Sequence, residues 1–175
     1  MGHRKSQRGF TLIELFVTML VALVLVGIGI PSFSTAIKNT RLSKSTNDLI
    51  TCLHRARSEA LKRGRHVRMC ADDGNCNSDN WENGWVLFVD ENENGILDND
   101  ANGNSETILI EERGQKKHTI TFNGNNSNTF GFDGRGKPLN SNIGTFSICD
   151  NRPDAGKEVV ISFTGRASSN DADCT

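Results

Sequence analysis

Hydrophobic residues are concentrated in one long segment near the N-terminus of the chain. Between residues 10 and 37 the only ionisable side chain is Glu14, and the sixteen residues Leu15–Ile30 form an almost uninterrupted apolar run. A helix needs about 20 apolar residues to cross a bilayer. The pattern therefore predicts a membrane-spanning helix over residues 10–31. Basic residues precede this helix and predict a cytoplasmic N-terminus, with the rest of the chain on the outer side of the membrane.

After residue 31 the pattern changes to that of an amphipathic helix. Leu49, Leu53, Ala56 and Ala60 recur at intervals of four, three and four residues, which places them on one face of a helix. Gly64 follows a basic stretch and is typical of a helix C-terminus. We therefore predict a stem helix over residues 32–64 that buries this face against a sheet.

Glycine and proline interrupt the apolar run near its end. Gly27, Gly29 and Pro31 lie within five residues of one another, and both residue types weaken a helix. Two interpretations are open: a stretch that bends or melts when the subunit is packed in a larger assembly, or a simple kink at the membrane edge.

Beyond residue 64 the chain alternates short β-type runs with clusters of Gly, Asn and Asp. No second long helical pattern occurs, so we predict an antiparallel β-rich domain over residues 65–175 that packs on the stem. The predicted fold class is α+β. The predicted strands are Val67–Cys70, Trp85–Val89, Thr107–Ile110, Thr119–Phe122, Thr129–Phe132, Thr145–Cys149 and Val159–Phe163.

The cysteines predict an oxidising compartment. Five cysteines are many for a cytosolic chain of 175 residues, and none of them forms a CxxC pair typical of zinc sites. Cys70 and Cys76 bracket a short turn, whereas Cys149 ends a predicted strand and Cys174 follows the last one. We predict disulfides Cys70–Cys76 and Cys149–Cys174, with Cys52 reduced in the stem helix.

The residues around the start of the apolar run carry a specific resemblance. The sequence Arg-Gly-Phe-Thr-Leu-Ile-Glu-Leu at residues 8–15 resembles the prepilin peptidase motif of type IV pilins and type II secretion pseudopilins. The resemblance implies a leader peptide over residues 1–9, cleavage between Gly9 and Phe10, and N-methylation of Phe10. It also implies that Glu14 sets the axial register of assembly by pairing with the N-terminal amine of a neighbouring subunit.

Two further stretches narrow the resemblance. Both stretches resemble GspH/FimT-type pseudopilins and minor pilins. The first is Leu53–Arg63, followed by Val67 and Cys70, and the second is Asn83–Gly95. The resemblance implies a pilin-like lollipop and a minor pilin that initiates or caps assembly of a type IV pilus. The alternatives are an H-type pseudopilin of a type II secretion system and a DNA-binding minor pilin for DNA uptake.

The same resemblance implies the partners and the location of the chain. The partners are other pilins or pseudopilins, contacted through the N-terminal helix, and the prepilin peptidase. The chain is expected as a single-pass protein of the bacterial inner membrane with a periplasmic globular domain. After assembly it is expected in a cell-surface pilus or a periplasmic pseudopilus.

Charge gives limited support to DNA binding. Some FimT-like minor pilins bind DNA through a Gly-Arg-x-Arg motif, of which this chain keeps Gly165 and Arg166 but not the second arginine. Removing residues 1–9 takes away three basic residues and no acidic one, so the net charge falls from −1 to −4. Two interpretations of the basic side chains are open: a phosphate-binding surface, or solvated surface charges, which the acidic net charge favours. The side chains that could form such a surface are Lys62, Arg63, Arg65, Arg68, Lys116, Lys117, Arg135, Lys137 and Arg166.

The predicted loop after residue 89 has the oxygen ligands of a calcium loop at its first positions. Asp90, Asn92 and Asn94 occupy positions 1, 3 and 5 of an EF-hand pattern, Gly95 position 6 and Asp98 position 9. Position 12 is alanine instead of glutamate, so a true EF-hand is excluded, although Asp98, Asp100 or Glu106 could serve a loop of another type. A solvated turn has the same composition, and both interpretations are open.

Catalytic motifs are absent from the sequence. The four histidines are not arranged in a metal-binding or triad pattern, and neither GxSxG nor HExxH occurs. We therefore expect a structural subunit that is not an enzyme and needs no cofactor.

Overall fold

The computed structural model describes residues 9–72, 76–98, 105–114, 117–139 and 143–174, and the side chains of residues 28–32 lie outside this described part. The chain forms two compact units, Met1–Asn39 and Thr40–Thr175. One α-helix, α1, spans Leu12–Arg63. It joins the two predicted helical segments, 10–31 and 32–64, without a break at Gly27, Gly29 or Pro31, and it begins two residues later and ends one residue earlier than they do.

In the second unit, α1 buries the face that its spacing predicts. Leu49, Leu53, Ala56 and Ala60 are each at most 1% exposed, and they belong to the main hydrophobic core. Gly64 follows the last helical residue and adopts a left-handed φ of +63°. Its N–H donates to the carbonyl of Ala60 at 2.9 Å, which satisfies one of the last helical acceptors.

The described residues form eight strands in two antiparallel four-stranded sheets. The first sheet has the order β3-β2-β1-β5, and the second has the order β4-β6-β7-β8. A short 3₁₀ turn, Trp81–Asn83, precedes β2. The strands are β1 His66–Ala71, β2 Gly84–Asp90, β3 Thr107–Arg113, β4 Thr119–Asn123, β5 Thr129–Phe132, β6 Gly144–Cys149, β7 Gly156–Ile161 and β8 Ala167–Ala172.

Seven of these strands overlap the predicted ones, and the end of the chain differs. β7 lies earlier than predicted and ends at Ile161, so that Phe163 lies in a turn and is 69% exposed. β8 was not predicted, because its sequence is polar and its residues 168–171 are exposed. It pairs with β7 through a tight turn in which Gly165 has a φ of +74°.

Aromatic rings fill the core between the second sheet and the remaining elements. The rings of Phe122 and Phe146 stack with centroids 4.3 Å apart, and Trp81 meets Phe146 edge-on at 5.0 Å. The indole N–H of Trp81 donates to the carbonyl of Ser127 at 2.8 Å. Trp81 therefore anchors the 3₁₀ turn, whereas Trp85 lies in β2.

Both predicted disulfides are confirmed. Cys70 and Cys76 are joined with Cα atoms 5.2 Å apart, and Cys149 and Cys174 are joined with Cα atoms 5.7 Å apart. Cys52 is free and buried, as predicted. Burial raises the pKa of the Cys52 thiol to about 12, so this side chain stays protonated and acts as a small apolar group.

The packing of α1 predicts that truncating two leucines on this helix lowers the free energy of unfolding by unequal amounts. Leu53→Ala should lower the free energy of unfolding by about 2–5 kcal/mol, because it leaves a cavity in the core. Leu61→Ala is the matched control, since Leu61 is 53% exposed, and should change it by less than about 1 kcal/mol. Chemical denaturation followed by tryptophan fluorescence measures both. Equal losses for the two variants would contradict the assigned core face.

Candidate assembly site

The start of α1 places Glu14 in a reciprocal capping arrangement with Thr11. The backbone N–H of Thr11 donates to Glu14 Oε2 at 3.4 Å, and the N–H of Glu14 donates to Thr11 Oγ1 at 3.3 Å. The carbonyl of Thr11 also accepts the N–H of Leu15 at 3.2 Å, which makes Thr11 the N-cap residue. This is the capping-box arrangement, in which each side chain satisfies an amide of the other residue. The Glu14 carboxylate is therefore directed towards the N-terminal end of the helix.

The first unit exposes apolar side chains along its helix. Every large hydrophobic residue from Phe10 to Val26 is between 50% and 86% exposed. A helix that is apolar on all sides requires a covering of lipid or of other protein. Among the residues that the structure describes, no helix combines the length and the apolar character that crossing a membrane requires. The predicted span 10–31 runs into residues 28–32, whose side chains are outside the described part.

The predicted cleavage bond lies before the helix. Gly9 and Phe10 precede the first helical residue and are exposed, and an added Cβ at Gly9 would meet no atom within 4 Å. The bond between them is therefore outside any secondary structure and sterically open among the described residues. The predicted leader spans residues 1–9, and its first eight residues lie outside the described part. The cleavage, the methylation of Phe10 and the register role of Glu14 remain predictions.

The loop after β2 brings together the residues of the predicted calcium pattern. Asp98 Oδ2 accepts the side-chain amides of Asn92 and Asn94, each at 2.7 Å. Asp90 is fully buried, and its Oδ2 accepts the N–H of Gly95 at 3.1 Å. Asp100 lies outside the described residues. Within the described ranges, no three His, Cys, Asp or Glu side chains are placed to bind one metal ion.

Glu106 closes this loop from the other end. It is 8% exposed, and its carboxylate accepts the N–H groups of Glu91 at 3.2 Å and Asp98 at 3.3 Å. Burial raises the pKa of Glu106 to about 7, and the nearby carboxylates of Asp90 and Asp98 add to the rise, while the two backbone hydrogen bonds oppose it. The carboxyl group therefore changes its charge near neutral pH.

Most of the predicted basic surface is paired with acidic neighbours. Lys62 and Arg63 both contact Glu59, Arg65 contacts Glu91 and Arg135 contacts Asp133. Arg68 is mostly buried against Asp90. These pairs reduce the positive potential that phosphate binding requires.

Arg166 lies in the β7–β8 turn and is exposed. Its backbone N–H donates to Ser162 Oγ at 3.2 Å, while its guanidinium contacts none of the acidic groups that the structure describes. Lys116 is outside the described residues. A DNA contact through Arg166 stays the less favoured alternative that the sequence left open.

Two family models match the sequence. The model of the type II transport protein GspH matches residues 45–165, and that of the prokaryotic N-terminal methylation motif matches residues 4–30. The two matches cover the stem of α1 with most of the β domain, and the apolar start of the chain. No curated protein sequence matches the chain.

The fold is similar to that of the type IV minor pilin FimU from Pseudomonas aeruginosa strain PAO1. One crystal form of FimU has 22% sequence identity and a TM-score of 0.57, covering 76% of this chain and 90% of FimU. A second crystal form has 23% identity and a TM-score of 0.56, covering 74% and 92%. At this identity the likeness shows the fold alone.

Glu106 predicts a distinct dependence of stability on pH. Its folded pKa of about 7 is raised above the ordinary 4.5, so its contribution to stability is full below pH 4.5 and is lost as the pH rises to 7. Relative to wild type, Glu106→Gln should therefore gain roughly 1–3 kcal/mol in free energy of unfolding between pH 4.5 and pH 8. Urea denaturation of the full chain in detergent measures the difference. The exposed Glu111→Gln variant is the control, and parallel pH profiles for wild type and Glu106→Gln would disprove the assignment.

Proposed function

The chain belongs to the GspH family and is a type IV pilin-like protein, and on that premise we propose that it is a minor pilin that initiates or caps assembly of a type IV pilus. GspH-type proteins and minor pilins are structural subunits, and membership points to a membrane anchor before assembly and to a pilus or pseudopilus afterwards. The N-terminal methylation motif implies interaction with other pilins and with the prepilin peptidase.

The observation that carries the proposal is one carboxylate in residues 10–37, a segment whose other side chains are uncharged. Glu14 lies among exposed hydrophobic side chains, and the capping box with Thr11 directs its carboxylate towards the N-terminal end of the helix. A carboxylate in an apolar environment is costly unless it is paired. We propose that the apolar surface is covered first by the inner membrane and then by neighbouring helices, and that Glu14 is paired in the assembled state.

Cleavage after Gly9 would create the partner of this carboxylate. In the uncleaved chain the nitrogen of Phe10 belongs to a peptide bond and carries no charge. After cleavage it becomes an amine, and N-methylation leaves it able to carry a positive charge. The proposed pairing of Glu14 with the Phe10 amine of a neighbour is strong in a low-dielectric filament core. Assembly would therefore depend on processing.

The alternative is an H-type pseudopilin of a type II secretion system, because the same anchor and stem serve both assemblies. Co-purification from the native cell separates them: the proposal expects minor pilins, and the alternative expects secretion components. We do not propose DNA binding, since five of the basic side chains considered for it are ion-paired.

The proposed role of Glu14 predicts that its loss impairs incorporation into filaments but leaves cleavage after Gly9 intact. Glu14→Ala keeps the residues at the cleavage bond, so the variant should be processed and should accumulate in the membrane. It should be depleted from sheared filaments roughly 10-fold or more, because a coupling of at least ~1.4 kcal/mol is lost.

Cell fractionation followed by quantitative immunoblotting measures both properties. Glu59→Ala is the matched control, because Glu59 is a carboxylate on the same helix that pairs with Lys62 and Arg63 of its own chain. This control should be processed and incorporated normally. Wild-type recovery of the Glu14→Ala chain in filaments would refute the register role.

A further inference from the structure

The loop after β2 has the oxygen-rich sequence of a cation-binding loop, and the chain itself supplies a cation there. Arg68 lies on β1, where it is opposite Phe88 of β2, and its Nε donates to Asp90 Oδ2. We propose that the Arg68 guanidinium is the built-in cation of this loop and takes the place that a metal ion holds in loops of similar sequence. Residues 91–98, the described part of the loop that follows β2, are then held in place without calcium.

The first support is the position of the guanidinium against the turn. A Cβ added to Gly95 would lie 3.2 Å from Arg68 Cζ and 3.3 Å from Nη1, so the guanidinium packs directly on this glycine. Asp90 Oδ2 accepts both the Gly95 N–H and the Arg68 Nε–H. The Arg68 side chain is 12% exposed and that of Asp90 is fully buried. The pair is therefore desolvated, and each charge depends on the other.

The second support is the space that the fold leaves for the arginine stem. Gly131 of β5 lies opposite Arg68, and an added Cβ there would be 2.9 Å from Arg68 Cγ. Glycine at this position leaves room beside β1 for the first part of the arginine stem, whose guanidinium then reaches Asp90 on the neighbouring β2. Gly95 has a φ of +82°, which L-residues with side chains rarely adopt. Two glycines therefore make room for one arginine, one for its stem and one for its guanidinium.

The third support is that few oxygens remain for a metal. Asp98 Oδ2 is occupied by two amide donors, and both Glu106 oxygens accept backbone N–H groups. Asp90 Oδ1 is buried and accepts no hydrogen bond from the described residues. Asn92 Oδ1 and Asn94 Oδ1 accept the backbone N–H groups of Asn94 and Ile96. Among these described residues of the calcium pattern, the side-chain oxygens left without a hydrogen-bond donor are fewer than the roughly 6–8 ligands that calcium takes. The donor set therefore fits the guanidinium better than it fits calcium.

The pair has a structural consequence for the face of the first sheet that points away from the main core. Val86 and Phe88 form a small buried cluster there with the Cys70–Cys76 disulfide, and Leu97 of the loop packs on it. Arg68 links β1 to the loop close to this cluster. Removing the Arg68 charge should therefore weaken the packing of the loop on Phe88. It should also leave the buried Asp90 carboxylate without a partner.

Thermal unfolding of the purified full chain in detergent tests the proposal. Wild type should have the same Tm in EDTA and in millimolar calcium chloride. Arg68→Met keeps an unbranched stem over Gly131 and removes the charge, and it should lower the Tm in EDTA by on the order of 10 °C. Arg68→Met/Asp90→Asn removes both charges and should recover most of that loss. Arg65→Met is the matched control, because Arg65 is half exposed beside Glu91, and should leave the Tm unchanged.

Two results would overturn the proposal. One is a saturable rise in the wild-type Tm with calcium that magnesium does not produce, since it would mean that a metal binds in the presence of Arg68. The other is an Arg68→Met chain as stable as wild type in EDTA. If Arg68→Met does not fold, the double variant decides: a Tm near that of wild type supports the charge pairing, and failure of the double variant to fold rejects it.

Discussion

The apolar face of the second half of α1 is the constraint on which the globular unit depends. Leu49, Leu53, Ala56 and Ala60 cannot remain in water without cost, since burying one leucine side chain contributes about 1.5–3 kcal/mol. Residues of both sheets join these four in one hydrophobic core. The two alanines are small, which lets strands approach the helix closely. The aromatic side chains Trp81, Phe122, Phe130 and Phe146 belong to the same core as this face.

Sequence patterns predicted the parts of the fold that have their own periodicity. The helix face followed from its spacing, and most strands followed from apolar and β-branched runs between turn residues. β8 could not be predicted in this way, because Ser168, Ser169, Asn170 and Asp171 have neither feature. Its structure is imposed by pairing with β7 at the edge of the second sheet. The Cys149–Cys174 disulfide holds the chain end that follows it.

The candidate sites were predictable to different degrees for the same reason. Glu14 was evident as a lone carboxylate in an apolar segment, and its capping box with Thr11 was also readable, as Thr-x-x-Glu before an apolar run. The pair between Arg68 and Asp90 could not be predicted from the sequence, because these residues are 22 positions apart and meet only through the register of β1 on β2. Sequence alone left calcium open at this loop, whereas the structure places a guanidinium on the carboxylate of Asp90.

The two units thus use carboxylates in different ways. In the globular unit, Asp90 is paired within its own chain and holds a loop. At the start of α1, Glu14 is exposed, and its hydrogen-bond partner among the described residues is the neutral Thr11. Under the proposed function, its carboxylate pairs with a neighbouring subunit. The most direct test of that function is the number of surface pili per cell, counted by electron microscopy in cells that lack this chain. The account predicts that pili are nearly absent and that the intact chain restores them, and an unchanged number of pili would contradict it.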